Sequence, residues 1–256
     1  MESVTVMTYN VRHAVLDEGV HSWANRRESV IERVRAGDPD ILGIQESSGE
    51  QQAELATGVP DYEWVGVAEE PGSGEHVPLG VRSPWEVLDS EILWLSESGD
   101  PRTVGWDGKY PRVVTTAVLG HQNGQRLTVC NTHFDHVGER ARLESARLLR
   151  ERVDAAPPDR PVVVLGDFNA EPDSAPYEQL TGSEFDRTLR DSRRVATERR
   201  GPETTFTEFD SGTDGQTIDH IFVTTNLDVE RYSVDPTTVE GRLPSDHRPV
   251  AVTLST

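Results

Sequence analysis

The sequence predicts an α/β fold, the class in which helices cover the faces of a buried β-sheet. Short apolar runs typical of buried strands, such as Val4–Tyr9 and Val162–Leu165, alternate along the chain with longer segments of helical spacing. The length of 256 residues is large for an ordinary domain but suits a large α/β sandwich or barrel. The sequence contains no internal repeat, linker or composition boundary, so we expect a single domain over residues 1–256.

Apolar runs and alternating patterns locate the strands in order along the chain. The predicted strands are Val4–Tyr9, Asp40–Glu46, Tyr62–Val67, Val77–Val81, Trp85–Leu88, Ile92–Ser96, Arg112–Leu119, Arg126–Asn131, Val162–Leu165, Thr217–Val223, Val229–Val234 and Val250–Leu254. The predicted helices are Asn25–Arg35, Gly49–Thr57, the strongly amphipathic Glu139–Asp154 and a short one within 172–180. Residues 186–203 are so densely charged that we expect a solvated surface excursion there.

The chain is strongly acidic and almost free of lysine. It carries a net charge of −20, and Lys109 is the only lysine, so nearly all positive charge is arginine. Such a composition resembles proteins of salt-loving organisms, although a GC-rich genome also favours arginine over lysine. In either case the surface repels long polyanions at low salt, which argues against a basic nucleic-acid-binding module.

Cysteine usage leaves the redox compartment of the protein open, whereas hydropathy argues against a membrane span. Cys130 is the only cysteine, so an intrachain disulfide is excluded. No basic segment followed by an apolar one opens the sequence, and no apolar run approaches the roughly 20 residues that a membrane-spanning helix needs. We expect a cytoplasmic, monomeric protein without a membrane span.

The stretch from Val162 to Ala170 combines a buried strand with polar chemistry at its end. Gly166 ends the apolar run, and Asp167 and Asn169 follow two positions apart, so both side chains can point the same way. The carboxylate can accept a proton from water or hold a metal, and the amide can orient a neighbouring oxygen. An Asx-type turn after a strand is the alternative interpretation.

Other predicted strand ends carry polar residues of matching chemistry. Asn10 follows the first strand, His133 follows another and Asp219 lies within a third. Glu46 closes an apolar run, where a carboxylate is costly to bury without a metal or a cationic partner. Each residue taken alone is equally compatible with a turn or with a solvent-exposed strand end.

Taken together, these motifs resemble the endonuclease/exonuclease/phosphatase superfamily, which includes deoxyribonuclease I, exonuclease III, neutral sphingomyelinase, inositol polyphosphate 5-phosphatases and deadenylases. The matching pieces, in the order of the family, are Thr8–Asn10, Ile44–Glu46, Asn131–His133, Gly166–Asn169, Ile218–Asp219 and Ser245–His247. The segments Trp94–Glu97, Gly105–Asp107 and Thr132–Arg142 resemble a prokaryotic branch close to the deadenylases.

The resemblance implies a four-layer α/β sandwich, in which two mixed β-sheets pack face to face with helices on the outside and the site lies at one edge. It also implies Mg²⁺ or Mn²⁺ as the cofactor, with Glu46 as a ligand and with Asn10 and Asp246 close by. These residues offer the hard oxygen donors that Mg²⁺ prefers.

The same resemblance implies roles for the catalytic residues. Asp167 and Asn169 position the attacking water. His247 lies near the scissile phosphate as a general base or a charge stabiliser, and Asp219 holds its ring.

On the phosphate side, His133 donates to a phosphate oxygen and Glu75 braces it, while Arg112 offers a fork that suits phosphate. His220 occupies a position where relatives often carry tyrosine, and we interpret it as structural. Asp135 and its neighbour His136 are open between substrate contact and capping of the next helix.

Three functional hypotheses compete. The first is a metal-dependent phosphodiesterase that acts on nucleic acid or nucleotides, and the second is a phosphatase or phosphodiesterase of a small phosphorylated metabolite or lipid headgroup. The third is a catalytically inactive binding module, which loss of Glu46, Asp167 or His247 would favour; all three residues are present. The first two share their core chemistry and differ in loops, so the sequence leaves both open.

Overall fold

Two mixed β-sheets form the centre of the structure, a computed structural model that describes residues 3–66 and 76–255. The strands are β1 (Val4–Asn10), β2 (Ile41–Gln45), β3 (Tyr62–Val65), β4 (Leu79–Arg82), β5 (Trp85–Trp94), β6 (Val113–His121), β7 (Arg126–His133), β8 (Val162–Asp167), β9 (Leu189–Asp191), β10 (Glu198–Arg200), β11 (Asp219–Thr224), β12 (Asp228–Val234) and β13 (Val250–Ser255). The first sheet has the order β10-β12-β13-β1-β2-β4-β3, and the second has the order β5-β6-β7-β8-β11-β9.

Helices cover the outer face of each sheet. They are α1 (Trp23–Gly37), α2 (Gly49–Gly58), α3 (Glu139–Asp154), α4 (Ala175–Thr181) and α5 (Ser192–Val195). Apolar residues of α1 and α2 pack on the first sheet, and those of α3 and α4 pack on the second. Across the described ranges, none of these helices combines the length and the apolar character needed to cross a membrane.

A third apolar cluster joins the inner faces of the two sheets. It unites Val6 and Ile41 of the first sheet with Val129, Val163 and Leu165 of the second, all almost completely buried. Burial of this kind is the main favourable contribution to folding. The layers therefore run helix, sheet, sheet, helix, which confirms the four-layer sandwich.

Strand pairing brings the chemically interesting strand ends to one edge. In the second sheet β7 and β8 run parallel, with His133 opposite Asp167. The antiparallel neighbour β11 begins there, with Asp219 opposite the same Asp167. In the first sheet β1 and β2 run parallel and end together, with Asn10 opposite Gln45.

The prediction of two separate strands, Trp85–Leu88 and Ile92–Ser96, is wrong. Residues Trp85–Trp94 form one strand, β5, because a bulge between Val87 and Asp89 lets the pairing with β6 continue, and Leu95 and Ser96 lie beyond its end. An exposed strand with polar residues in its middle has no apolar continuity for the sequence to reveal. The last residue of the predicted strand Tyr62–Val67 lies outside the described residues.

The charged stretch 186–203 is also not a simple solvated excursion. It forms β9, α5 and β10. Leu189 is buried, and so is Asp191, whose carboxylate accepts a hydrogen bond from the Tyr177 hydroxyl at 2.7 Å. The high density of arginine hid these few inward-facing residues.

Gly166 is the backbone position on which the end of β8 depends. Its φ is +147°, and a Cβ atom there would lie 2.0 Å from the Thr132 carbonyl oxygen of β7. We expect Gly166→Ala to lower the free energy of unfolding by about 3 kcal/mol, because backbone strain and a main-chain clash act together.

The matched control for this substitution is Gly124→Ala, in a turn with φ +89° and open space around the new methyl group. It should cost only the strain, about 1 kcal/mol. Chemical denaturation measures both losses, and equal losses would show that the contact with β7 is unimportant.

Candidate active site

The segments that follow β1, β2 and β8 lie at one edge of the sandwich, and each has a residue in the left-handed backbone region. Arg12 has φ +54°, Glu46 has φ +58° and Asn169 has φ +46°. Asparagine tolerates this region, but arginine and glutamate adopt it at a cost of about 1–3 kcal/mol. Strain repeated at one edge of the sandwich indicates that the positions of these side chains matter more than local stability.

Asp167 is the carboxylate on which this edge converges. Its Oδ2 accepts a hydrogen bond from Asn10 Nδ2 at 2.9 Å, and it lies 3.5 Å from His133 Nε2 and 3.7 Å from His247 Nε2. Its Oδ1 accepts the backbone N–H of Asn169 at 3.0 Å. Asp167 is only 1% exposed, so these contacts take place away from bulk water.

Glu46 lies beside Asp167 and is held by two donors. Asn10 Nδ2 donates to its Oε1 at 3.1 Å, and the backbone N–H of His13 donates to its Oε2 at 3.1 Å. The amide of Asn10 therefore bridges Glu46 and Asp167, while its own oxygen accepts the N–H of Arg12 at 2.9 Å.

His247 and Asp219 form a close pair, with 2.8 Å between Nδ1 and Oδ2. Burial by itself lowers the pKa of His247, but Asp219, followed by Asp167 and Asp246, raises it well above its usual value. With Nδ1 bonded to Asp219, the Nε2 atom points toward Asp167. The backbone of Asp219 is itself fixed, since Thr205 Oγ1 accepts its N–H at 3.1 Å.

Asp246 is engaged with a cation. Its Oδ2 bonds the guanidinium of Arg12, which also bonds Asp17 at 2.8 Å. Ser245 ties this loop to β1, because its hydroxyl donates to the Asn10 carbonyl at 2.8 Å and also contacts Asp246 Oδ1. Asp246 is therefore linked to Asn10 in two ways. One link runs through Arg12, whose backbone N–H bonds the Asn10 side chain, and the other through Ser245, whose hydroxyl bonds the Asn10 carbonyl.

His133 lies between Asn169 and Arg112. Its Nε2 is 3.0 Å from Asn169 Nδ2, and its Nδ1 is 2.9 Å from a terminal nitrogen of Arg112. Arg112 is 6% exposed and contacts the Nδ1 side of the His133 ring, whereas Asp167 faces the Nε2 side. The predicted partner Glu75 lies outside the described residues.

The donor set suits a divalent cation. Within the described ranges, one ligand atom each from Glu46, His133 and Asp167 lie within 4.8 Å of one another, and the same holds for Asp167, Asp219 and His247. The two carboxylates of each group offer the oxygen ligands that Mg²⁺ and Mn²⁺ prefer. Of the three predicted ligands, Glu46 belongs to the group that it forms with His133 and Asp167. Direct binding of the metal by Asn10 and Asp246 stays a prediction.

Arg26 of α1 is a structural residue of the site that sequence reasoning missed. It is 4% exposed, and its guanidinium donates to the main-chain carbonyls of Val11, Arg12, His21 and Pro244. One side chain therefore ties the loop after β1 to the loop that carries Asp246. The only sequence signal is that Arg26 precedes the apolar Val30 by four residues, which places it on the apolar face of the helix.

His220, which the sequence predicts to be structural, is buried, with Nε2 2.9 Å from the Ala170 carbonyl oxygen, and its ring packs on Phe168. Trp23 is 7% exposed and packs in the core beneath the first sheet.

Asp135 closes the loop before α3. Its two oxygens accept four backbone N–H groups, from Lys109, Tyr110, Val137 and Gly138, at 2.8–3.1 Å. Burial opposes ionisation, yet these four donors lower its pKa to about 2. Asp135 therefore anchors the start of α3 and the 109–110 segment.

Comparison with known proteins finds relatives that match the part of the chain that carries the site. The sequence profile described as the Endonuclease/Exonuclease/phosphatase family matches residues 7–247. A protein of Acanthamoeba polyphaga mimivirus is 29% identical over 180 residues, 66% of this chain and 66% of its own length. The chain thus covers slightly less than two thirds of that relative.

Solved structures match over nearly the whole length. An endonuclease/exonuclease/phosphatase from Bacteroides vulgatus is 34% identical, with a TM-score of 0.93, covering 100% of this chain and 99% of its own. A mannosyl-6-phosphatase of Bacteroides thetaiotaomicron is 30% identical, with a TM-score of 0.89, covering 99% of this chain and 100% of its own.

The lowered pKa of Asp135 predicts a pH-dependent contribution to stability. Because its pKa falls from 3.8 to about 2 on folding, the contribution is complete above pH 4 and is lost as the pH falls toward 2. We expect Asp135→Asn to lower the free energy of unfolding by about 1–3 kcal/mol at pH 7.

Urea denaturation at several pH values measures this effect. The gap between the wild type and Asp135→Asn should narrow below pH 4, whereas the exposed Asp228→Asn should show no comparable gap at any pH. A gap that stays constant down to pH 2.5 would contradict the role of the charge.

Proposed function

This chain belongs to the endonuclease/exonuclease/phosphatase family, and on that premise we propose that it is a divalent-metal-dependent hydrolase that cleaves phosphoester bonds with an attacking water molecule. The observation that carries this proposal is the convergence of Asn10, His133 and His247 on Asp167, with Glu46 alongside. In-line hydrolysis needs a carboxylate for the water and donors for the charge that develops on phosphorus.

The substrate that we infer is a small phosphorylated molecule. The mannosyl-6-phosphatase that resembles this chain over its full length supports a phosphosugar or a related compound. A net charge of −20 opposes the approach of a long nucleic acid, because such polymers bind through release of counterions by basic residues. Cleavage of nucleic-acid phosphodiesters is the competing possibility.

Asp167 and Asn169 handle the water in this proposal. The carboxylate of Asp167 lies where the side chains of the site converge, so it is placed to orient a water molecule and to accept a proton from it. Asn169 is placed by the bond from its backbone N–H to Asp167 and by the donation of its side chain to the Phe134 carbonyl at 3.0 Å.

His247 and His133 handle the phosphate. Since its pKa is raised, His247 is protonated near neutral pH and can donate from Nε2 to a phosphate oxygen or to the leaving group. Asp219 fixes the ring of His247, and Arg112 supports the ring of His133 from behind. The raised pKa favours charge stabilisation over general-base catalysis for His247.

Glu46 is the residue that we assign as the carboxylate ligand of the metal, together with oxygen donors from the surrounding cluster. A bound Mg²⁺ or Mn²⁺ would supply positive charge to stabilise the phosphate oxygens during attack. The bonds from Asn10 and the His13 N–H hold both oxygens of Glu46 in place.

A hydrolysis panel tests the function directly. With Mg²⁺ or Mn²⁺ present, phosphate release should be fastest for sugar phosphates, compared with nucleotides, inositol phosphates, single-stranded DNA and RNA. Preferential cleavage of the two polymers would replace the small-molecule assignment by nucleic-acid hydrolysis. Lack of hydrolysis of every compound would overturn the proposed activity.

Metal dependence should appear both in turnover and in binding. EDTA should abolish hydrolysis, and Glu46→Gln should weaken Mn²⁺ binding measured by calorimetry about 10-fold or more, because a charged ligand is lost. Glu230→Gln, an exposed carboxylate of β12, is the matched control and should bind Mn²⁺ like the wild type. Full turnover in EDTA would remove the metal from the mechanism.

The His247–Asp219 pair should control kcat. We expect His247→Ala to reduce kcat by about 10²–10⁴ and Asp219→Asn by a smaller factor, because the first loses the donor and the second only its orientation. Steady-state kinetics on a sugar phosphate, with Asp228→Asn as a control for loss of one carboxylate, checks the order of effects. Near-normal turnover of His247→Ala would show that the assignment is wrong.

A further inference from the structure

The side chains of Lys109, Arg112 and His136 surround the Tyr110 ring beside the site, and we name these four residues the Tyr110 cluster. Arg112 supports His133 in the chemistry described above, whereas Lys109, Tyr110 and His136 have no part in it. Lys109 Nζ lies 5.1 Å from the centre of the Tyr110 ring, the Arg112 guanidinium carbon 5.9 Å and the His136 ring centre 5.8 Å. Cations at such distances from an aromatic ring are attracted to it.

The Tyr110 cluster is continuous with the site. A terminal nitrogen of Arg112 is 2.9 Å from His133 Nδ1, and the other is 3.3 Å from His136 Nδ1. Exposure rises outward along this path: His133 is 3% and Arg112 is 6% exposed, whereas Tyr110 is 48% exposed and Lys109 and His136 are exposed as well. The cluster therefore leads from the reaction centre to solvent.

The neighbouring carboxylate, Asp135, binds the backbone N–H groups of Lys109 and Tyr110 and lies 3.7 Å from Nε of Arg112. Asp135 is 2% exposed, and its two oxygens are occupied by the four backbone N–H groups that shape this loop. In a chain with a net charge of −20, the only lysine thus stands at the mouth of the site. An exposed cation there attracts an anionic group of a substrate over a short range.

His136 presents a donor to the same space. Because a guanidinium can only donate, His136 Nδ1 accepts from Arg112, which leaves the proton of the neutral ring on Nε2. Burial, followed by the charge of Arg112, lowers the pKa of His136, so the neutral form prevails at neutral pH. Lys109 supplies charge and the Tyr110 hydroxyl and His136 supply hydrogen bonds, a combination suited to phosphate.

We propose that Lys109, Tyr110 and His136 form a subsite for a second phosphate group on the substrate, next to the phosphate that is hydrolysed. This inference rests on the proposed phosphoesterase function and narrows its substrates to molecules with two phosphates. The second phosphate belongs either to a bisphosphorylated small molecule or to the neighbouring position of an oligonucleotide. Lys109 and Arg112 both lie within 6 Å of the Tyr110 ring centre, so the ring holds two cations close to this subsite.

Paired substrates test the subsite and identify the source of the second phosphate. Fructose 1,6-bisphosphate is compared with fructose 6-phosphate, and a 5′-phosphorylated dinucleotide with its unphosphorylated form. For the wild type, kcat/KM should be about tenfold higher for the member with the additional phosphate, as one charge-assisted contact provides. Preference in the sugar pair assigns a small molecule, and preference in the dinucleotide pair alone assigns an oligonucleotide.

The variants separate local charge from net charge. In each pair, the ratio compares kcat/KM for the substrate with the additional phosphate with kcat/KM for the substrate without it. Lys109→Gln should reduce this ratio from about ten to a value between about 1 and 3, and Lys109→Arg should keep it at about ten. Arg147→Gln removes the same charge from an exposed position of α3 and should leave the ratio at the wild-type value. An equal loss in Lys109→Gln and Arg147→Gln would overturn the subsite in favour of a global charge effect.

Binding measured without turnover keeps the two proposals distinguishable. Calorimetry in EDTA measures the binding of fructose 1,6-bisphosphate and of the phosphorylated dinucleotide. Lys109→Gln should bind at least one of these two ligands more weakly than the wild type does. Equal affinities for both ligands would overturn the subsite even if hydrolysis is observed. Weaker binding together with no hydrolysis of any substrate would support the subsite and overturn the proposed activity.

Discussion

The site depends on one shared oxygen, Oδ2 of Asp167, which lies within 4 Å of donors from three other parts of the chain. These donors come from β1, from the end of β7 and from the loop before β13, so one buried carboxylate links both sheets. A buried charge of this kind is tolerated only when it is hydrogen-bonded and compensated. The pairing of β8 with β7 and β11 matters because it fixes where that oxygen lies.

The remaining architecture can be understood as compensation for placing several carboxylates close together. Arg12 balances Asp246, and the raised pKa of His247 gives the carboxylates around it a cationic neighbour. Left-handed backbone at Arg12 and Glu46 adds a further cost. The large apolar core between the sheets offsets these costs, which is why such a site can exist at the edge of a rigid sandwich.

Local patterns predicted most strands, the main helices and the strand ends that carry the site, whereas the four-layer arrangement followed from the resemblance of six ordered motifs to a known family. The helix Glu139–Asp154 has the predicted bounds, and Asp167 and Asp219 meet because apolar runs position them at one edge. Sequence could not reveal Arg26, because the carbonyls it binds belong to residues as far away as Pro244. Nor could it reveal buried Asp191, since the surrounding arginines dominate the local composition and its partner Tyr177 lies on another element.

The position of β1 also determines when the site can form during synthesis. β1 is made early, yet it lies inside its sheet, paired on one side with β2 and on the other with β13. Until residues 244–255 leave the ribosome, the nascent chain lacks the Ser245 bond to Asn10, the Pro244 carbonyl that Arg26 binds and the partner for one edge of β1. An unpaired edge invites pairing with other chains, so the growing polypeptide lacks an assembled site and is vulnerable to aggregation until β13 docks.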